Sequence, residues 1–220
     1  MFEPTFFATA LVTQRHKELM AQAEEYRQLK QARRARRSWT GSRARRAANG
    51  RAGLPAVGLA DGSTVIVRPV EASDAPLLAE GFERLSAQSR QSRFLYRKPS
   101  LSSAELRYFT DVDHHDHEAL AALSSDGRGV GVARFIRDRC DSATADVAVT
   151  VIDDWQRRGV GTELLRRLVK RAEVEGIRQF TALVADDNAA TVGLLAKTGL
   201  DVEVVGRDVN ALEYVIRLRG

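Results

Sequence analysis

Residues 149–162 read VTVIDDWQRRGVGT, and this stretch decides the fold. An apolar, β-branched run predicts a strand over Ala145–Ile152, and a helical pattern begins directly after Gly159 and Gly161. Glycines let the backbone come close to a ligand, and the first N–H groups of a helix have no partner within the helix. These N–H groups and the positive end of the helix dipole favour a phosphate. The stretch therefore predicts a site for a pyrophosphate.

Two common phosphate-binding loops do not fit this sequence. The Walker pattern requires a lysine after its last glycine, and none is present here. The dinucleotide-binding pattern requires three glycines, and only Gly159 and Gly161 occur. What fits is Gln-x-x-Gly-x-Gly after a strand, beginning at Gln156, with the positive charges of Arg157 and Arg158 beside the loop.

A second pattern follows the loop and its helix. Phe180–Val184 is predicted as a strand, and Asn188 is placed to cap a helix over Ala189–Thr198 that ends at Gly199. Together, the loop and this pattern resemble the signature motifs of the GCN5-related N-acetyltransferase (GNAT) family. Leu195 stands where many members of that family carry a tyrosine.

The order of predicted elements agrees with the fold that the resemblance implies. Strands and helices from residue 64 onward follow the order βααα-ββ-β-αβ-αβ-β. We therefore expect an α/β (α+β) GNAT fold over residues 64–220, with a mixed, mostly antiparallel central sheet flanked by helices. Glycines and a proline cluster in residues 54–63, which predicts a linker. Residues 1–53 are predicted to form a basic extension, helical or partly disordered.

A narrower resemblance concerns the acceptor of the acetyl group. Phe82–Arg90 and Leu106–Asp113 look like the acetyltransferase domain of bacterial Pat-type protein-lysine acetyltransferases. This resemblance implies a protein substrate with an acceptor lysine. A small amine, such as a polyamine, an amino acid or an antibiotic, is the alternative acceptor.

The GNAT resemblance implies acetyl-CoA as co-substrate and assigns residues to it. The pyrophosphate would bind backbone N–H groups of the glycine loop, and the pantetheine arm would pair with the strand before the loop. Asn188 would face the arm or the thioester. The residues expected to bind the coenzyme are Val149, Val151, Ile152, Gln156, Arg157, Arg158, Gly159, Val160, Gly161, Thr162 and Asn188.

The implied reaction needs a base, because a lysine with a pKa of about 10.4 is charged at neutral pH. A carboxylate is the usual base. Asp146 lies ten residues before Gln156, where the family commonly has glutamate; the alternative is a strand-edge aspartate paired with an arginine. His117 or Glu118 is the second candidate, at the substrate-side lip, and an exposed polar turn is the alternative there.

Several classes of site and location are disfavoured by composition. Residues 113–118 contain three histidines and three acids, but neighbouring strand residues point to opposite faces, so we predict no metal site. The single cysteine, Cys140, excludes an intrachain disulfide and suggests a reducing compartment. No apolar run approaches the roughly 20 residues of a membrane helix. We therefore expect a cytoplasmic protein without a membrane partner.

The net charge of +5 is unevenly distributed along the chain. Residues 1–53 hold twelve Lys/Arg and four Glu, which gives +8, so the remainder carries −3. Such a basic arm is suited to nucleic acid or an acidic partner, and a solvated tail is the alternative interpretation. A third function is therefore kept open: a non-catalytic CoA-binding regulatory module that uses the basic arm.

Overall fold

The computed structural model describes residues 55–208 and 210–219. The strands are β1 (Ala56–Gly58), β2 (Thr64–Pro69), β3 (His117–Ser124), β4 (Gly129–Arg137), β5 (Thr144–Val151), β6 (Gln179–Ala185), β7 (Asp201–Asp208) and β8 (Ala211–Arg217). The helices are α1 (Ala75–Glu83), α2 (Ala87–Phe94), α3 (Ser103–Thr110), α4 (Val160–Val174) and α5 (Ala189–Thr198).

The strands form one eight-stranded sheet in the order β1-β2-β3-β4-β5-β6-β8-β7. Every neighbouring pair in it is antiparallel except β5 and β6, which are parallel. The mixed, mostly antiparallel sheet with flanking helices is the fold that the sequence predicts, and that prediction is confirmed.

Helix α4 packs on one face of the sheet and supplies much of the core. Its apolar stripe, which includes Leu164, Leu165 and Leu168, is buried against the rings of Phe135 in β4 and Phe180 in β6. Burial of each large apolar side chain contributes roughly 1.5–3 kcal/mol, so this packing holds the start of α4 firmly at the end of β5.

Two predicted segments lie at the start of the chain. Residues 54–63, predicted as a linker, contain β1, which pairs with β2 at the edge of the sheet. A three-residue strand is too short to show a clear alternation in sequence. The predicted basic extension, residues 1–53, lies outside the described residues.

Candidate active site

The sheet opens between β5 and β6. These strands pair only from Thr144–Gln179 to Asp146–Thr181, although both continue for several residues beyond that point. The resulting cleft has a volume of about 840 Å³ and is bordered by both strands, by α2 and by α5. An extended ligand can therefore enter the sheet itself and reach backbone groups that no strand partner occupies.

The backbone of β5 directs hydrogen-bonding groups into this cleft. Ile152 donates its N–H to the carbonyl of Val130 at 3.1 Å, so alternate residues from 144 to 152 bond to β4. The residues between them, including Val149 and Val151, direct their N–H and C=O groups toward β6. The carbonyl of Val151 accepts a hydrogen bond from Gln156 Nε2 at 3.1 Å. The backbone N–H and C=O groups of Val149 lie where the pantetheine arm is expected.

The glycine loop lies at the far end of the cleft. Arg157 and Gly159 both have left-handed backbones, with φ of 60° and 100°, and Gly159 caps the N-terminus of α4. A left-handed non-glycine residue is strained, and such strain is concentrated at functional loops. Successive N–H groups in this kind of turn form a concave anion site, and the dipole of the fifteen-residue α4 adds to it.

Most of the residues predicted to bind the coenzyme line the cleft: Val149, Val151, Gln156, Arg157, Gly159, Gly161, Thr162 and Asn188. Ile152, Arg158 and Val160 are placed differently. The side chain of Ile152 lines a neighbouring apolar cavity. Arg158 lies with its Cζ 5.1 Å from the ring centroid of Trp155 and is paired with Asp61. Val160 is buried in the core, so only its backbone N–H faces a ligand in the loop.

Helix α2 forms a wall of the cleft that sequence reasoning missed. Asp153, directly after β5, accepts hydrogen bonds from Ser86 N at 2.9 Å, Ser86 Oγ at 2.7 Å and Ser89 Oγ at 3.0 Å. Burial opposes ionisation of Asp153, but these hydrogen bonds lower its pKa overall. A carboxylate thus fixes the start of α2 over the glycine loop, while the end of α2 brings Arg93 to the opposite end of the cleft.

Asp146 lies at this opposite end. It is the last residue of β5 that pairs with β6, it is half-buried, and it lines the cleft. Paired residues of antiparallel strands share a face, and His117 pairs with Ile136, which pairs with Asp146. Asp146 and His117 therefore lie on the face of the sheet opposite α4. This placement agrees with an acceptor-side role for Asp146.

His117 is held behind that site and is not among the described residues that line the cleft. Its side chain is buried, with its ring centroid 5.0 Å from that of Tyr108. The Nε2 atom of His117 lies 3.2 Å from Nη1 of Arg134, which is always a donor, so Nε2 is the nitrogen that accepts. Burial raises the pKa of Tyr108 to about 12. This packing favours a structural role for His117.

Glu118 lies on the opposite face, under α4. It is fully buried, and its carboxylate pairs with Arg171 Nε at 2.9 Å and with His114 Nδ1 at 2.7 Å. Burial opposes ionisation, but hydrogen bonds from His114 and Arg171 lower the pKa of Glu118 overall. The carboxylate of Glu118 therefore joins β3 to α4. Glu118 is not among the described residues that line the cleft.

We expect Glu118→Ala to lower the free energy of unfolding by about 3 kcal/mol, because removal of one partner of a buried ion pair leaves the other uncompensated. The pKa of Glu118 is lowered in the folded state, so its contribution is present above the unfolded pKa of about 4.3 and is lost as pH falls through the folded pKa. Urea unfolding at pH 7 and pH 3 measures both effects. The control is Asp201→Asn, which breaks an exposed pair with Arg217 and is expected to change the free energy of unfolding little. A Glu118→Ala effect as small as the control, or one of equal size at both pH values, contradicts the assignment.

Residues 64–201 match the family model described as an acetyltransferase (GNAT) domain. The chain belongs to the GNAT family. This finding confirms the predicted family, the acyltransferase class and acetyl-CoA as co-substrate.

Three similar proteins bear on the narrower resemblance, and two of them are named Pat. Acetyltransferase Pat of Mycolicibacterium smegmatis is 33% identical over 140 residues, which are 63% of this chain and 41% of that protein. Acetyltransferase PA5475 of Pseudomonas aeruginosa is 33% identical over 144 residues, which are 64% of this chain and 77% of that protein. The crystal structure of the GNAT domain of S. lividans PAT has a TM-score of 0.69 at 30% identity, and the match covers 74% of this chain and 96% of that one. The match to the first of these spans less than half of its length, so the activity of that whole protein does not transfer directly.

The described residues contain neither a membrane-spanning helix nor a candidate metal cluster. No helix in residues 55–208 or 210–219 is both long and apolar enough to cross a membrane. In the same residues, no three His, Cys, Asp or Glu side chains are grouped so that they could hold a metal ion.

Proposed function

We propose that this GNAT domain transfers the acetyl group of acetyl-CoA to a primary amine, with Asp146 as the base. The acceptor that we favour is a protein lysine. The observation that carries the proposal is the end of β5–β6 pairing at Asp146. It leaves the backbone of Val149 open, with a carboxylate at one end of the cleft and the glycine loop at the other.

The cleft supports an extended position for acetyl-CoA. The pyrophosphate binds N–H groups of the loop from Arg158 to Thr162, and the pantetheine arm pairs with Val149 and Val151 along β5. Asn188 uses its Oδ1 atom to accept from Thr191 N at 3.0 Å, which leaves its Nδ2 hydrogens for the arm. The thioester then lies toward Asp146.

The chemistry in this position is direct transfer. The neutral amine nitrogen attacks the thioester carbon, a C–N bond forms, and the N–H of Val149 stabilises the oxyanion. The C–S bond then breaks, and the proton lost by the amine passes to Asp146 directly or through water. A thiolate with a pKa near 8.5 leaves without strong acid assistance, which agrees with a buried Leu195 at the position where many family members carry tyrosine. Positioning of the amine against the thioester supplies most of the remaining rate enhancement.

Calorimetric titration with acetyl-CoA, followed by thiol release with and without a protein-lysate acceptor, tests this proposal. Binding with acceptor-dependent release supports the transferase. A small-amine panel in the same assay tests the alternative acceptor class. Binding without release for every acceptor favours the alternative of a non-catalytic CoA-binding module.

We also propose that the basic segment 1–53 is separable from the GNAT domain, and we infer a cytoplasmic location from the single cysteine. A chain without residues 1–53 is expected to unfold cooperatively and to bind acetyl-CoA within about threefold of the full chain, because the cleft and core belong to described residues beyond the arm. Thermal melts followed by circular dichroism and calorimetry measure this. An insoluble product would show that the arm is structural. DNA binding that weakens steeply with salt, and that is lost with the arm, would support a nucleic-acid partner.

A further inference from the structure

Arg93, near the end of α2, lines the cleft beside the proposed base. Its guanidinium carbon lies 5.1 Å from the ring centroid of Phe94, and none of its nitrogens has a hydrogen bond or ion pair within the described residues. Burial lowers the pKa of Arg93, and the charge of Asp146 acts in the opposite direction. A guanidinium with five donors thus faces the acceptor end of the cleft with its hydrogen-bonding capacity unused.

Arg134 is a second cation near the half-buried Arg93, and both line the apolar cavity beside the cleft. Its side chain is buried, and Nη1 lies 3.3 Å from the carbonyl oxygen of Phe109 and 3.2 Å from His117 Nε2, neither of which is an anion. Burial, and then the charge of Arg93, lower the pKa of Arg134 to about 9, so it stays positive at neutral pH. Two mutually repelling cations therefore lie near each other, Arg93 at the cleft and Arg134 at the adjoining apolar cavity.

Such an arrangement is costly unless an anion completes it, because buried charge without a partner destabilises a fold. Asp146 is the one carboxylate in the described chain that acts on Arg93, and no carboxylate there acts on Arg134. The pyrophosphate of the coenzyme is too distant to be the anion that neutralises these two arginines. Asp146 and Val151 are five positions apart along β5, about 16 Å at 3.3 Å per residue, and the glycine loop follows.

We propose that Arg93 binds a carboxylate that the acceptor carries close to its reacting amine. This inference rests on the proposed transferase function and specifies its acceptor. The amine lies at Asp146 and the carboxylate at Arg93, whose planar fork matches it in bidentate geometry. The carboxylate belongs either to a free amino acid or to an acidic residue next to an acceptor lysine. A polyamine is disfavoured, because its second cation would meet Arg93 and Arg134.

Two matched pairs of acceptors test this with the full-length protein and saturating acetyl-CoA. The first pair is a short peptide with glutamate next to its lysine and the same peptide with glutamine there. The second pair is an apolar amino acid and its carboxamide. We expect the carboxylate member of one pair to have a kcat/KM about tenfold to a hundredfold above its partner, the size expected for a charge-assisted hydrogen bond. The pair that shows the preference identifies the source of the carboxylate.

Arg93→Gln is expected to reduce the ratio of kcat/KM between the carboxylate acceptor and its neutral partner to less than about three. Arg93→Lys keeps the charge without the planar fork and is expected to give an intermediate ratio. The matched control is Arg97→Gln, which removes the same charge from an exposed side chain just after α2 and should keep the wild-type ratio. Thermal melts verify that each variant is folded, and the Lys variant carries the test if the Gln variant is not.

The outcomes separate this inference from the transferase function itself. Turnover of all four acceptors with equal kcat/KM in each pair leaves the transferase intact and overturns the role of Arg93. A preference that survives unchanged in both Arg93 variants also overturns it. Binding of acetyl-CoA without thiol release for any acceptor contradicts the transferase, and the inference with it.

Discussion

Gly161→Glu is expected to abolish acetyl-CoA binding. Gly161 lies in the first turn of α4, where it lines the cleft beside the N–H groups proposed to bind the pyrophosphate. A glutamate there brings a carboxylate against the phosphate charges. Two like charges about 4 Å apart at an effective dielectric constant of 20 repel by about 4 kcal/mol, which corresponds to roughly a thousandfold loss of affinity.

Calorimetric titration of the variant with acetyl-CoA measures this loss, and Gly161→Ala is the matched control. A Cβ at this position would lie 3.5 Å from Leu194 Cδ2 and 3.7 Å from Val151 Cγ2, which are ordinary contacts. The alanine variant is therefore expected to fold and to bind within about tenfold of wild type. Wild-type affinity in a folded Gly161→Glu protein would place the pyrophosphate elsewhere.

Local signals in the sequence account for the parts of the fold that were predicted well. The bounds of the predicted helix Ala189–Thr198 agree with the structure, because caps mark both of its ends. The side chain of Asn188 accepts from the N–H of Thr191, and Gly199 ends the helix with a φ of 64°. The glycine loop was equally clear, since strand, loop and helix adjoin in sequence. In each case the determining contacts lie within a few residues.

Features that depend on distant pairing were not readable from the sequence. His117 and Glu118 are neighbours that point to opposite faces of the sheet, and only the position of α4 shows that Glu118 pairs with Arg171. Arg93 belongs to a polar helix whose sequence gives no sign that it borders the cleft. Asp153, which fixes the start of that helix, is 67 residues away in sequence from its partner Ser86. The opening between β5 and β6 likewise depends on where pairing ends.

Asp146→Asn is expected to lower kcat by about a hundredfold to ten-thousandfold, the usual contribution of a positioned base, while the affinity for acetyl-CoA stays near that of wild type. Asparagine keeps the size of the side chain but cannot accept the proton that the amine must lose. The affinity is preserved because Asp146 lies about 16 Å along β5 from Val151, and the glycine loop lies beyond that residue. Steady-state thiol release and calorimetry on the same preparations separate the two quantities.

The pH dependence of the variant distinguishes a lost base from a displaced substrate. Without the carboxylate, only acceptor that is already neutral reacts, so the kcat of Asp146→Asn should rise about tenfold per pH unit until the acceptor pKa of about 10.4 is approached. The control, Asp154→Asn, removes an exposed carboxylate just after β5 and should keep the wild-type rate and pH profile. A low rate in the Asp146 variant that does not rise with pH would indicate a positioning role instead. A wild-type rate would assign proton removal to another group or to solvent.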